Sequence, residues 1–581
     1  MTQNDVDSVT LEVTRNAAIA VCEEMNANLI RTGYSPNIKE RRDCSCALFD
    51  ANAEMISQAE NMPVHLGAMP FSVKAAIDRF PPETLSPGDA VLLNDPFYGG
   101  AHLPDLTLVT PVFHDGKLIA FAANRAHHAD IGGSHAGSVS ADSTEIYQEG
   151  LRIPPVKLFQ KGEPNDAIFE MILSNVRTPD ERRGDLRAQE AANETGKRRF
   201  TELAEKYGTE QLDAALEEIK DYSERRMRSE IEQLPDGTYE FADVLDDDGA
   251  GNTDLPIEAA VTVDGDEVHV DFTGTAAQTD GPINAVFAVT ASATYYAVRC
   301  VTDPDIPPNH GCYRPINITA PEGTIVNPEP PAAVVGGNLE TSQRVTDVVL
   351  GAFGEVVPER VVAGSQGTMN NITFGGMDPR DDSPYAFYET QGGGFGGRAG
   401  KDGIDGVHVH MSNTMNTPAE VLETAYPLRV TRYQLRPDSG GAGEFRGGMG
   451  LRRDIQVRGH EATFSLLADR HDHQPYGLVG GEDGGSGSAV RIDPDGTEHR
   501  LPQKSTHHLP PETIVSIRTP GAGGYGDPGD RDPAAIERDL ELEKVTPDAA
   551  RESYGYDAET GVDPEDADAE ESTADGESHD G

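Results

Sequence analysis

The sequence predicts an α+β, multidomain chain: a helical N-terminal part that carries β-hairpins, followed by Gly-rich mixed and β-rich domains. Three observations predict it. Apolar residues recur at helical spacing early in the chain, strand–turn–strand patterns with Gly and Pro punctuation dominate its second half, and strands never alternate with helices in βαβ order. Helices first and strands later disfavour a doubly wound sheet.

Taken in order, Leu11, Ala18, Cys22, Met25 and Leu29 recur at three- and four-residue steps and predict a helix from about Ser8 to Thr32. Cys44–Phe49 and Glu54–Gln58, joined by Asp50-Ala-Asn-Ala, read as a hairpin, with Asp43 just before its first strand. Helical periodicity returns from about Asn165 to Lys206, broken near Pro179, and again from Glu210 to Gln233. The period changes at Asp236-Gly237, and Ile257–Val263 and Glu267–Phe272 form a strand–turn–strand. Domains are therefore expected at 1–234 (α+β), 235–330 (β-rich), 331–440 (Gly-rich, mixed) and 441–530 (β-rich). C-terminal helices at 531–556 and a disordered acidic tail at 557–581 complete the expectation.

The net charge is −52, from 99 acids against 47 bases. The tail holds 11 acids, so most of the excess is spread over the body. Such a surface excludes nucleic acid, which requires a basic stripe. Only 11 of the bases are lysine, and acid excess with few lysines predicts a salt-adapted, halophilic protein that loses its fold in low salt. Five cysteines are too few and too scattered for a disulfide framework, and Cys44 and Cys46, in a strand-like run, read as buried, inert thiols rather than a redox pair. With no leader-like N-terminus and no membrane-length apolar run, a cytoplasmic protein without membrane contact is expected.

The most informative segments are Gly100-Ala-His-Leu-Pro-Asp105 and Asn124-Arg-Ala-His-His-Ala-Asp130, which bracket one predicted hairpin. Leu106–Phe113 and Leu118–Ala123 are its strands, and Asp115-Gly116 is the two-residue turn. With that turn, paired positions sum to 231 and Asp105 lies opposite Ala126, one place from His127. His102, Asp105 and His127 then gather at the hairpin mouth. Two imidazoles and a carboxylate suit a divalent metal, Zn²⁺ or Mn²⁺ better than Mg²⁺ or Ca²⁺. His128 and Asp130 are alternates, because adjacent side chains point oppositely, and they are the candidate proton donors.

Gly392-Gly-Gly-Phe-Gly-Gly397 matches G-x-G-x-x-G, but Arg398–Gly403 cannot start a helix, so a dinucleotide site fails its context. A flexible or substrate-facing loop is expected there. No phosphate-binding loop motif occurs.

Several motifs in order resemble the hydantoinase B/oxoprolinase family: Glu40-Arg-Arg-Asp-Cys-Ser45, Gly99–Asp105, Asn124–Gly133, Tyr147-Gln-Glu-Gly150, Ser412–Glu420, Gly523–Pro528 and Asp548–Gly555. The resemblance runs from about residue 8 to 556. It implies an ATP-dependent cyclic amidase that opens hydantoin, N-methylhydantoin, 5-oxoproline or similar lactam rings. It also implies a divalent metal on Asp43, His102, Asp105 and His127, and ATP-Mg on a separate hydantoinase A-type subunit, the two chains forming a heterotetramer of two each. Cys44 departs from the family, where many relatives carry a larger apolar residue. The alternatives are an acetone-carboxylase-type subunit with the same metal motifs, and a non-catalytic structural subunit in which the metal is a staple.

Overall fold

A computed structural model describes residues 7–59 and 61–557; most of the expected acidic tail lies outside the described residues. The first helix occupies Ser8–Thr32, its N-terminal amides of Val9 and Thr10 donating to the Asp7 side chain. Its buried face is Ala18, Val21, Cys22, Met25 and Leu29, as the spacing requires.

The two expected hairpins belong to one seven-stranded antiparallel sheet. Its strands are β1 (Cys44–Asp50), β2 (Met55–Gln58), β3 (Ala90–Leu93), β4 (Asp105–His114), β5 (Lys117–His127), β6 (Val156–Gln160) and β7 (Glu163–Pro164), in the order β2-β1-β5-β4-β3-β6-β7. Both faces are covered, and the period-2 alternation sorts the side chains. Cys44, Cys46, Leu48, Ala122 and Ala126 face a core built with helices Ser8–Thr32, Pro179–Tyr207 and Thr209–Ile231. Ala47, Phe49, Phe121 and Ala123 face the opposite core with helix Pro63–Arg79. Burial pushes the Cys22 thiol up to about 12, in keeping with an inert core thiol.

A second sheet follows, with β8 (Gly237–Asp247), β9 (Thr253–Asp264), β10 (Glu267–Asp271) and β11 (Ile316–Thr319) in the order β11-β10-β9-β8. The last strand joins in parallel after helix Phe287–Val301. Helix Ser342–Gly354 packs against this sheet, and a π-helical turn, Gly337–Thr341, leads into it. Two further sheets lie between residues 371 and 518, and helices Pro533–Glu541 and Pro547–Tyr554 close the described chain. The architecture is α+β, as the sequence predicts. Among the described residues, no helix is long and apolar enough to cross a membrane.

Two local expectations are corrected. The β4–β5 turn has φ +48° at Asp115 and +78° at Gly116, as an Asp-Gly hairpin turn requires. A bulge at Ile119 then shifts the register, so that pairs sum to 231 only up to Phe113↔Leu118 and to 232 beyond it. Asp105 is thereby opposite His127 rather than Ala126. Of the two expectations for the glycine-rich segment, flexible or substrate-facing, the flexible one is corrected. Gly394 N–H donates to Pro520 O, Gly397 N–H to Gly523 O, and Gly448 N–H to Phe395 O. Absent side chains let these backbones lie in contact, so the glycines form a packed layer.

Candidate metal centre

Asp105 opens β4 and His127 ends β5, directly across the ladder, so their side chains share one face of the sheet. His102 precedes β4 by one tight turn. One ligand-type atom from each of His102, Asp105 and His127 lies within 4.8 Å of the other two, and all three residues are buried. Nε2 of His102 is 2.9 Å and Nδ1 of His127 is 3.1 Å from Asp105 Oδ1.

Asp43 immediately precedes the neighbouring strand β1. Cys44 pairs with Ala126, and the His127 N–H donates to Asp43 O at 3.0 Å. The Asp43 carboxylate stands at the side of the triad, 3.7 Å from Nε2 of His65. His65 was not among the expected residues. It sits in the first turns of helix Pro63–Arg79, with Nε2 3.3 Å from Asp105 Oδ2, bridging the two carboxylates. Its only sequence signal is a lone histidine among apolar helical neighbours, the usual mark of a core residue.

The ring orientations have structural causes. His102 Nδ1 faces Val335 O at 3.2 Å, which turns Nε2 toward Asp105. The Val335 segment is held in turn by Glu149, whose Oε1 accepts from the amides of Val334 and Val335. The π-helical turn brings Asn338 Nδ2 to 3.2 Å from His102 Nε2. Tyr388 stacks on His127 at 4.4 Å between ring centres, with the Arg41 guanidinium 4.9 Å from the tyrosine ring. The Tyr388 hydroxyl donates to Asn371 Oδ1, and Asn371 Nδ2 donates to Glu340.

Electrostatics favour a charged carboxylate at Asp105. Burial alone would raise the Asp105 pKa, but His102 and His65 hold it well below the usual carboxylate range. Burial lowers the His127 pKa, against the opposing pull of Asp105. Asp105 Oδ2 and His127 Nε2 are buried without a hydrogen-bond partner. Orphaned donor atoms beside a mixed N/O set fit a divalent cation. The N···O separations also approach the roughly 3.3 Å edge that ~2.05 Å ligand bonds give in a tetrahedral site.

His128 and Asp130 do not join this cluster. His128 follows the end of β5 with its ring on the opposite face, where Nε2 lies 2.9 Å from Gln189 Oε1, and burial lowers its pKa to about 4. Asp130 is engaged by Arg177, its carboxylate accepting from both the guanidinium and the backbone N–H at 2.8 Å.

With this geometry in place, a family model described as hydantoinase B/oxoprolinase matches residues 7–528. The chain belongs to the hydantoinase B/oxoprolinase family. It is 44% identical to an uncharacterized protein of Methanocaldococcus jannaschii over 94% of this chain and 96% of that one. It is 38% identical to 5-oxoprolinase 1 of Arabidopsis thaliana over 90% of this chain but 42% of the plant protein. The fold matches the crystal structure of the ATP-dependent caprolactamase from Pseudomonas jessenii, with TM-score 0.90, 32% identity, and coverage of 98% of this chain and all of that one. The family assignment and the α+β architecture thus agree with the resemblance carried by the motifs.

Proposed function

We propose that this chain is the metal-dependent subunit of an ATP-dependent cyclic amidase, which opens a hydantoin, 5-oxoproline or similar lactam ring. The observation that carries the reading is the convergence of His102, Asp105 and His127 in a buried, pre-oriented set with orphaned donor atoms. Named relatives, the plant 5-oxoprolinase and the caprolactamase, support the substrate class. The chain spans less than half of the plant protein and all of the solved caprolactamase chain. That is the pattern of a module working beside a second one, here an ATP-binding hydantoinase A-type subunit.

His102, Asp105 and His127 would hold the ion, with Asp43 and His65 closing the side nearest β1. A bound Zn²⁺ or Mn²⁺ supplies Lewis acidity toward the ring carbonyl and a lowered pKa for water. An unstrained amide resists attack through resonance, which explains why ATP is consumed on the partner. The residues of this chain do the rest: Val335 O fixes the His102 ring, Tyr388 holds His127 flat, and the buried walls exclude bulk solvent.

The test is His102→Ala in the complex with the ATP-binding partner. Ring opening and bound metal are expected to be lost while the partner still binds ATP. Full ring opening by the variant complex would refute the assignment.

A further inference from the structure

Away from the metal centre, a cleft of about 530 Å³ opens between helix Phe287–Val301, the turn Pro358–Arg360 and the glycine-rich segment. Its volume suits a small molecule. Tyr296 and Phe395 flank it, and both contact the ring of His410, at 5.8 and 5.7 Å between ring centres. His410 is 4% exposed and lines the cleft, yet neither ring nitrogen makes a hydrogen bond. Its Nε2 lies 3.4 Å from Asp347 Oδ1, beyond a hydrogen bond of good geometry, and its backbone is held at φ +47°. A buried imidazole left unsatisfied in a left-handed backbone is a feature that packing alone does not require.

The charge around this cleft runs against the rest of the molecule. Arg360, Arg398 and Lys401 line it with one acid, Glu359, on a chain of net charge −52. None of the three cations forms an ion pair among the described residues, whereas arginines elsewhere are repeatedly salt-bridged. Arg360 donates to Val301 O, while Arg398 and Lys401 are exposed, and exposed cations without ion pairs on so acidic a protein form a local attractor for anions.

We propose that this cleft binds a small ring-bearing oxyanion, its charge met by Arg398 and Lys401 and its ring lodged between Tyr296 and Phe395 above His410. The inference deepens the ring-amidase reading and rests on it only for the choice of probes. Two sources share the oxyanion chemistry: the carboxylate of 5-oxoproline, and the phosphate of a ring activated by phosphoryl transfer.

The test is equilibrium binding to the full chain, without partner or ATP, by titration calorimetry and saturation-transfer NMR. The probes are 5-oxoproline, inorganic phosphate and neutral caprolactam. Saturable binding of 5-oxoproline alone assigns the carboxylate, and of phosphate, alone or in competition with 5-oxoproline, the phosphoryl source. In either case the double variant R398Q/K401Q is expected to weaken anion binding by about tenfold or more. His410→Asn, whose side chain tolerates a left-handed backbone, is expected to weaken it as well. Caprolactam binding as tightly as the anions, no saturation by either anion, or unchanged anion affinity in R398Q/K401Q would overturn the proposal. Metal content, measured in the same samples, reports separately on the His102 site.

Discussion

Asp105 and His127 are cross-strand partners, Nδ1 to Oδ1 3.1 Å apart, because one bulged residue slides the β4–β5 register by a single place. Without the bulge, Asp105 would face Ala126. The residue opposite would then be a methyl group rather than an imidazole.

Asp105→Asn preserves shape but removes the charge that the surrounding imidazoles favour. Metal retained after dialysis, read by elemental analysis, is expected to fall at least about 100-fold in affinity, with the circular dichroism spectrum unchanged. Retention of wild-type metal would remove Asp105 from the ligand set.

Asp130 predicts the opposite pattern. It is fully buried, and Arg177 supplies both a guanidinium and a backbone donor. Arg177→Ala leaves that charge uncompensated and is expected to cost about 2–3 kcal/mol of stability, since Arg177 is itself partly solvated. Denaturant unfolding should reveal that loss while metal content stays at the wild-type level. Full stability with impaired ring opening would instead return Asp130 to the chemistry.

Much of this was legible beforehand. The helix Ser8–Thr32, the Asp-Gly turn and the convergence of His102, Asp105 and His127 follow from periodicity and turn chemistry. The bulge was not, because a turn rule fixes register only until an extra residue intervenes. His65 was invisible because one histidine in an apolar helix reads as core. Asn338 and Tyr388 reach the centre from more than 200 residues away through a π-helical turn and another sheet, and Glu340 is linked to it only through Asn371 and Tyr388. No local pattern encodes such an approach. His128 and Asp130 lie one and three residues beyond His127, but strand alternation and the Arg177 clamp turned them elsewhere.

Stability should fall as the pH rises from 7 to 8. Burial pushes Glu149 up to about 8 against the two amides that donate to it, and burial with the charge of Asp469 pushes Glu340 up to about 8. Unfolded, both ionise near 4.5. Between those values the folded chain holds protons that the unfolded chain has released, so stability declines with pH and levels off above about 8. His128 and His408, pushed down to about 4 by burial, act in the other sense, but only up to their unfolded value of 6.5. Thermal unfolding at pH 7 and 8 therefore isolates the carboxyls, each contributing about 1 kcal/mol per pH unit at most. Glu149→Gln keeps the acceptor for Val334 and Val335 and should flatten the slope. An unchanged slope in that variant would place the Glu149 proton elsewhere.

The packed glycine layer separates two reasons for glycine. A Cβ on Gly396 would lie 1.9 Å from Ala363 O, a backbone atom whose own residue is tied to Gly397 O by a 2.9 Å hydrogen bond. No rotamer relieves that clash, so Gly396→Ala must separate two backbones and is expected to cost about 3 kcal/mol or more. Gly116, in the β4–β5 turn, has nothing within 4 Å of a Cβ but sits at φ +78°. Gly116→Ala should cost only the left-handed backbone term, about 1–2 kcal/mol, and Gly116→Asn less. Denaturant midpoints for the three variants rank the effects directly. A near-neutral Gly396→Ala would mean that residues 392–397 are the loose loop their sequence suggests, since only a segment free to move could absorb the added methyl.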